Sequence, residues 1–243
     1  MSLSKNTLKL ITSLSQKKYR QKHNLFIAEG IKVVNEFLKA SFQVKYLFTT
    51  DVSLFEGEES IEISEQELKK ISKLKSPNKV VGVFEIPKEK EINLENFTLV
   101  LDDINDPGNL GTIIRLCDWF GITQLVCSQN TVDCFNFKVV QATMGSLTRV
   151  KIIYTDILTF LSETSLPTYT ADMEGENVYH TSLPENAVLV MGNEANGISK
   201  EVNEIIQKKI TIPRFGIIKQ TESLNVATAT AILLSEFKRG LDS

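Results

Sequence analysis

Three polar segments contain the residues whose types and spacing could do chemistry. DDINDPGNLGTIIR spans residues 102–115, MGNEANGIS spans residues 191–199, and ESLN spans residues 222–225, directly before an apolar run. Their side chains supply amides, carboxylates and one arginine, groups that can hydrogen-bond to a ligand or hold an anion. None of the three contains a histidine, and none matches the GxxxxGK[ST] or GxGxxG phosphate-binding patterns.

The first and third segments each lead into a predicted helix. Asn109 is placed to cap the first helix, and Arg115 lies one turn into it, off its apolar face. We expect Arg115 to point beyond the edge of a sheet; the alternative is a surface ion pair with Asp118. Before the other helix stand Ser223 and Asn225, and capping explains one such polar residue but not two.

The second segment directly follows the apolar run AVLVMG. Gly192 would permit a close approach of backbone, as a bound ligand would need, and Asn193 and Glu194 are polar residues at a strand end. A plain strand-to-helix turn capped by Ser199 is the alternative interpretation.

The elements that must position these segments form an α/β pattern. FTLVLDDI, TQLVCS, AVLVMG and KITIP are short apolar runs typical of parallel strands. Helices are predicted over residues 110–120, 136–147, 155–163, 200–207 and 226–237. Strands that alternate with helices predict a mostly parallel sheet, and ligands collect at the carboxyl ends of such strands.

A linker-like stretch, PKEKEINLEN, divides the chain into predicted domains 1–90 and 91–243. Residues 1–90 carry 16 Lys and Arg against 11 Asp and Glu, whereas residues 91–243 carry 11 against 19. This asymmetry suggests that the N-terminal part, itself a small α/β unit, meets a polyanion.

The basic segment KKYRQKHN is the candidate for that contact. Its four cationic residues are Lys17, Lys18, Arg20 and Lys22. They would supply phosphate contacts that do not depend on nucleotide sequence. The alternative is a solvated turn between a helix and a strand.

Composition excludes several other classes of protein. The chain has 243 residues, 42% of them hydrophobic, and three cysteines without CxxC spacing. We therefore expect buried free thiols and no metal site. No apolar run is long enough to span a membrane and no signal peptide is evident, so we expect no membrane partner and a cytoplasmic location.

Taken in order, DPGNLGTIIR, VMGNEANGIS and IP…ESLNVATATAI resemble the motifs of the SpoU (TrmH-like) branch of the SPOUT RNA methyltransferases. KYRQKHNLFIAEGIKVV is similar to the substrate-binding domain that many of these enzymes carry. The resemblance covers nearly the whole chain and is weakest over residues 41–95. It implies a C-terminal SPOUT domain with a mostly parallel sheet and a deep trefoil knot, plus a small N-terminal α/β RNA-binding domain.

The resemblance also implies that the three segments converge on S-adenosylmethionine and that a homodimer completes the site. The knotted loop would be IPRFGIIKQTESLN. The implied cofactor-binding residues are Met191, Gly192, Asn193, Gly197, Ile212 and Leu224. The implied catalytic residues are Arg115, Asn109, Glu194, Ser223 and Asn225.

The implied reaction moves a methyl group from a sulfonium to a ribose 2′-hydroxyl of RNA. Because a guanidinium keeps its proton in proteins, we expect Arg115 to clamp the RNA phosphate beside the target ribose and not to act as a base. Asn109 would orient Arg115 or the ribose. Glu194 would anchor Arg115, in the same chain or across the dimer.

The separate N-terminal domain favours ribosomal RNA as the substrate, on domain layout alone. Three alternatives stay open at this point: a tRNA 2′-O-methyltransferase, a SPOUT enzyme that methylates a base nitrogen, and a non-catalytic RNA-binding or ribosome-assembly factor that keeps the SPOUT fold.

Overall fold

The computed structural model describes residues 3–88, 92–93, 96–216 and 223–239. The chain divides into two compact units. The first comprises Met1–Lys88 and Asp133–Thr148, and the second comprises Glu89–Val132 and Arg149–Ser243. The boundary drawn from the sequence at residues 90 and 91 placed residues 133–148 in the C-terminal domain, whereas the structure groups this segment with the N-terminal residues.

The described residues form ten strands and nine α-helices. The strands are β1 (Leu25–Glu29), β2 (Val44–Thr49), β3 (Ile61–Glu62), β4 (Val80–Glu85), β5 (Thr98–Asp102), β6 (Gln124–Cys127), β7 (Lys151–Tyr154), β8 (Thr168–Asn177), β9 (Val188–Gly192) and β10 (Lys208–Thr211). The helices are α1 (Lys5–Ser13), α2 (Lys17–His23), α3 (Ile31–Lys39), α4 (Glu65–Ile71), α5 (Pro107–Trp119), α6 (Phe137–Thr143), α7 (Ile157–Glu163), α8 (Lys200–Ile205) and α9 (Val226–Lys238).

The first unit is built on a four-stranded sheet of order β1-β4-β2-β3. Strand β4 is antiparallel to β1 and β2, and β3 is parallel to β2. Helix α4 begins with a capping box, in which Ser64 accepts from the Glu67 backbone and the Glu67 carboxylate accepts from the Ser64 backbone. A further hydrogen bond from the Leu3 backbone helps to lower the pKa of Glu67 to about 2.

Two long-range contacts explain why residues 133–148 belong to this unit. The ring of Phe135 packs 4.8 Å from the ring of Phe26, which is fully buried on β1. Arg20 donates to the Asp133 carboxylate from Nε at 2.9 Å and from Nη2 at 2.5 Å. Neither contact follows from local sequence patterns, because each joins residues about a hundred positions apart.

The second unit is a six-stranded sheet of order β10-β8-β9-β5-β6-β7, in which every neighbouring pair is parallel. Its central strands β5, β6 and β9 are almost completely buried, as strands covered on both faces must be. The predicted α/β class with a mostly parallel sheet is confirmed. Strands β7 and β8 were missed, because KIIY and TYTADMEGEN mix polar and apolar residues.

No helix among the described residues is long and apolar enough to cross a membrane.

Candidate active site

The site is located by a reversal in strand order beside β5. Strands β6 and β7 lie on one side of β5, and β9, β8 and β10 lie on the other. The ends of β5 and β9 are in register, with Asp102 opposite Gly192. Chain segments that leave such a pair of strands open a crevice where ligands bind. The first two polar segments of the sequence start at this point.

Three of the predicted catalytic residues form one hydrogen-bonded chain here. Asn225 donates from Nδ2 to Asn109 Oδ1 at 2.9 Å, and Asn109 donates from Nδ2 to a carboxylate oxygen of Glu194. The three residues come from the three polar segments. The structure therefore brings the segments together, as the resemblance to the SpoU motifs implied.

The N-terminus of α9 sets the direction of this chain of hydrogen bonds. Asn225 caps the helix, its Oδ1 accepting from the backbone N–H groups of Ala227 at 3.0 Å and Thr228 at 3.2 Å. Because that oxygen is committed, the amide nitrogen is the atom left to face Asn109. Asn109 must then present its oxygen to Asn225 and its nitrogen to Glu194.

The expectation that Asn109 caps α5 is wrong. Helix α5 begins at Pro107, and its N-cap is Asp106, whose Oδ1 accepts from the Asn109 backbone at 2.8 Å. Proline at the first helical position needs no partner for its nitrogen, which favours this earlier start. The side chain of Asn109 is therefore free to join Asn225 and Glu194.

Arg115 is exposed on α5 and makes no hydrogen bond or ion pair with any described residue. The alternative partner, Asp118, pairs with Arg149 at 2.9 Å instead. Glu194 contacts Asn109 and does not anchor Arg115 within the described chain. The guanidinium is thus available for a group outside the described residues.

The second polar segment is held by its own backbone. Asn193 donates from Nδ2 to the Asp103 carbonyl at 2.8 Å, and its Oδ1 accepts from the Ala195 backbone at 2.8 Å. A Cβ at Gly192 would overlap the backbone of Gly197 and Ile198. The close approach expected at Gly192 is therefore made by the chain itself, and Asn193 shapes the loop.

A cavity of about 690 Å³ lies at the carboxyl ends of β5 and β9 and beside the middle of β8. Its lining residues are Asp102, Asp103, Ala171, Asp172, Met173, Asn193, Asn196, Gly197, Ile198, Ser199, Lys200 and Asn203. Of the six predicted cofactor residues, Asn193 and Gly197 belong to this lining. Met191 is buried within β9, and Ile212 follows β10 half-buried.

The remaining predicted residues stand before α9. Leu224 is 46% exposed and Ser223 is also exposed. Ser223 has no hydrogen bond to any described residue. Six of the fourteen residues of the predicted knotted loop, residues 217–222, lie outside the described part of the chain.

The sequence interpretation missed the contribution of β8 to the cavity. Asp172 at this strand pairs with Lys209 at 2.9 Å. A hydrogen bond from the Glu174 backbone, together with Lys209, holds the pKa of Asp172 below its usual value. The alternation of residues in TYTADMEG was the available signal for a strand.

The basic segment KKYRQKHN is helix α2, and its cations are not equivalent. Lys17, Lys18 and Lys22 are exposed. Arg20 is 2% exposed, and besides Asp133 it donates from Nη1 to the Leu14 carbonyl at 2.9 Å. The assignment of Arg20 as an RNA contact is corrected, because its guanidinium is buried in the first unit and hydrogen-bonded to Asp133 and to the Leu14 carbonyl.

The parallel sheet, the polar chain of Glu194, Asn109 and Asn225, and the cavity define an α/β protein with a candidate ligand site at its topological switch point. Within the described residues, no group of three or more His, Cys, Asp or Glu side chains could hold a metal ion.

Comparison with known proteins identifies the family. Residues 96–235 match the SpoU rRNA Methylase family, and residues 5–82 match the MRM3-like substrate binding domain. The chain is 31% identical over 239 residues to the 23S rRNA (guanosine(2553)-2′-O)-methyltransferase RlmP of Bacillus subtilis (strain 168), covering 91% of each chain. The chain belongs to the SpoU rRNA Methylase family, and the predicted membership is confirmed.

Two solved structures are similar over nearly the full length. A putative RNA methyltransferase of the TrmH family from Porphyromonas gingivalis is 38% identical, with a TM-score of 0.88 over 97% of this chain and 98% of that one. An AdoMet-bound rRNA methyltransferase from Sinorhizobium meliloti is 30% identical, with a TM-score of 0.87 over 100% and 99%.

Proposed function

We propose that this protein transfers a methyl group from S-adenosylmethionine to a ribose 2′-hydroxyl of ribosomal RNA. The observation that carries the proposal is the hydrogen-bonded chain of Glu194, Asn109 and Asn225, which is joined to the cavity lining by Asn193, the residue before Glu194. Support comes from membership of the SpoU family and from relatives named as rRNA 2′-O-methyltransferases. These names favour ribosomal RNA over the tRNA and base-methylation alternatives.

The cavity suits S-adenosylmethionine in size and in chemistry. Its volume of about 690 Å³ falls within the range of about 300–1,000 Å³ typical of small-molecule sites. Amides from Asn196 and Asn203 offer hydrogen bonds, and carboxylates offer partners for a cation. The bound cofactor would supply an electrophilic methyl group on a positively charged sulfur.

The residues of the polar chain would position the RNA for this transfer. Hydrogen bonds to Asn225 and Glu194 fix the side chain of Asn109 before the RNA binds. Orienting the ribose therefore costs little additional side-chain entropy. Arg115 would clamp the phosphate beside the ribose and stabilise negative charge as the hydroxyl proton leaves. Ser223 would hydrogen-bond in the same centre.

We further propose that a homodimer completes the site. Trp119 is 84% exposed on α5 and lies four residues after Arg115, so the two share one helix face. A second copy that covered Trp119 would bring its own polar groups close to Arg115. The second oxygen of Glu194, which has no hydrogen bond to a described residue, is a suitable partner for Arg115 of that copy.

The N-terminal unit would hold the RNA through α2. Lys17, Lys18 and Lys22 are exposed there, and residues 5–82 match a substrate-binding domain. Two further expectations stay predictions: the trefoil knot, whose loop lies partly outside the described residues, and the cytoplasmic location.

The deciding experiment is methylation of ribosomal RNA by the purified protein with tritium-labelled S-adenosylmethionine. A methyl group on the 2′-oxygen blocks alkaline cleavage of the adjacent phosphodiester, so the label should appear in alkali-resistant dinucleotides. Label in single nucleotides would indicate base methylation, and label in tRNA alone would identify the other substrate. Cofactor binding with no transfer to any RNA would favour a non-catalytic factor.

A further inference from the structure

The cavity is lined by three carboxylates, those of Asp102, Asp103 and Asp172, and only one of them has an ion-pair partner among the described residues. Asp172 is paired with Lys209 at 2.9 Å. Asp102 and Asp103 form no ion pair with any described residue. Lys200 is the lysine on the lining. Asp102 at the end of β5 and Asp103 directly after it therefore present to the cavity two carboxylates that have no ion-pair partner among the described residues.

Both carboxylates are held in place by the loops around them. Asp102 is only 6% exposed, and its Oδ2 accepts from the Ser199 backbone at 2.7 Å. Its Oδ1 accepts no hydrogen bond from a described residue. Asp103 Oδ1 accepts from Asn105 Nδ2 at 3.1 Å, and the Asp103 backbone donates to Ser128 Oγ at 2.9 Å.

Burial strengthens the electrostatic attraction of these carboxylates for a cation, compared with that of surface carboxylates. A charge at the wall of a cleft is screened less by water and salt than an exposed charge. One oxygen of Asp102 accepts no hydrogen bond from a described residue and can therefore face a ligand. A neutral donor group could hydrogen-bond to this oxygen, but only a cation would also be attracted by the negative charge.

We propose that Asp102 and Asp103 make the cavity selective for the positively charged methyl donor over its neutral product. The inference rests on the proposed function, because it takes the cavity as the S-adenosylmethionine site. Methyl transfer breaks the sulfur–carbon bond while the oxygen–carbon bond forms, leaving a neutral thioether and releasing the hydroxyl proton. The attraction of the two carboxylates for the sulfonium ends at that moment, which favours exchange of product for fresh donor.

The test compares the binding of two ligands that differ in the methyl group on sulfur and in the positive charge that it creates there. Isothermal titration would measure the Kd of S-adenosylmethionine and of S-adenosylhomocysteine for the wild type, Asp102→Asn and Asp103→Asn. Asparagine keeps an oxygen that can accept from Ser199 or Asn105, so the loops retain their hydrogen bonds. Asp106→Asn is the matched control, because it removes a charge from the same loop outside the cavity lining and asparagine also caps helices.

We expect each cavity variant to weaken S-adenosylmethionine binding by about three- to tenfold and to change S-adenosylhomocysteine binding by less than about twofold. Added salt should narrow the difference between wild type and variants, and Asp106→Asn should leave both constants unchanged. Equal weakening of both ligands, or of neither, would overturn the proposal and leave the cofactor site standing. A wild-type protein that binds neither ligand would overturn the cofactor site as well.

Discussion

Asn225 Nδ2 lies 2.9 Å from Asn109 Oδ1 and joins two residues 116 positions apart in the chain. The geometry at Asn225 is dictated by the helix that it caps, because its oxygen already accepts two backbone hydrogen bonds. One asparagine thus orients a second, which in turn faces Glu194. Helix capping and site assembly depend on the same side chain.

Replacing Asn225 separates these two tasks. Aspartate caps helices as well as asparagine does, but it has no N–H to donate to Asn109. We expect Asn225→Asp to change the free energy of unfolding by less than about 1 kcal/mol and to lower kcat by at least tenfold. Calorimetry and single-turnover methylation would measure the two effects.

Asn225→Ser is the matched control, since serine also caps but carries no negative charge. It should lose activity with little loss of stability, as the aspartate variant does. Full activity in both variants would show that the bond between Asn225 and Asn109 has no part in catalysis.

Arg115→Lys tests the proposed phosphate clamp. Lysine keeps the positive charge but cannot make the planar two-point contact of a guanidinium. We expect kcat/KM for RNA to fall by about a hundredfold, while the Kd of S-adenosylmethionine, measured by titration without RNA, stays the same. Near-normal turnover with lysine would contradict a bidentate clamp.

Trp119 is the sole tryptophan of the chain, so its fluorescence reports directly on the proposed dimer contact. At 84% exposure in the single chain it should emit as a solvated indole. In a dimer that covers α5 we expect blue-shifted emission that moves to longer wavelength on dilution.

Trp119→Glu should give a monomer by light scattering, since a buried charge would be placed in the interface. The variant should also lose methylation activity if the second copy contributes to the site. A fully active, dimeric Trp119→Glu protein would place the interface elsewhere.

The exposed lysines of α2 should set the salt dependence of RNA binding. Replacing Lys17, Lys18 and Lys22 with glutamine removes three candidate phosphate contacts. For a single-stranded RNA we expect the slope of log affinity against log salt to become shallower by about two. A triple variant at Lys39, Lys45 and Lys69, which are exposed on other elements of the first unit, is the control and should change the slope less.

Arg20 should behave differently from its lysine neighbours. Arg20→Ala leaves the Asp133 carboxylate without its partner, which for a buried pair costs about 3–5 kcal/mol. We expect a lower unfolding temperature and an unchanged salt slope at temperatures where the variant is folded. A shallower slope in a stable Arg20→Ala protein would restore Arg20 as an RNA contact.

Gly192→Ala should damage the cavity through backbone overlap. A Cβ at Gly192 would meet the carbonyl group of Gly197, and backbone cannot move aside as a flexible side chain can. We expect the Kd of S-adenosylmethionine to rise by at least tenfold. Gly121→Ala is the control: its φ of 68° makes alanine strained by about 1 kcal/mol, but the space around it is open.

Features that depend on neighbouring residues were predicted well. The buried strands β5, β6 and β9 were recognised because three to five successive apolar residues are a local signal. Helices α5 and α9 were expected within a few residues of their observed starts. The N-cap residue of α5 was not predicted correctly. Asp106 and Asn109 are both good caps, and only the path of the backbone decides between them.

The amino-acid sequence by itself determined the α/β class, the three polar segments and the family to which they belong. Tertiary structure decided that Asn109 faces Glu194 and Asn225, that Arg20 turns inward to Asp133, and that β8 lines the cavity. The physical reason is the separation along the chain of the residues that interact. Strand and helix preferences arise within a few residues, whereas all three features bring together distant segments of the chain. The first two also require a donor and an acceptor to meet within about 3 Å.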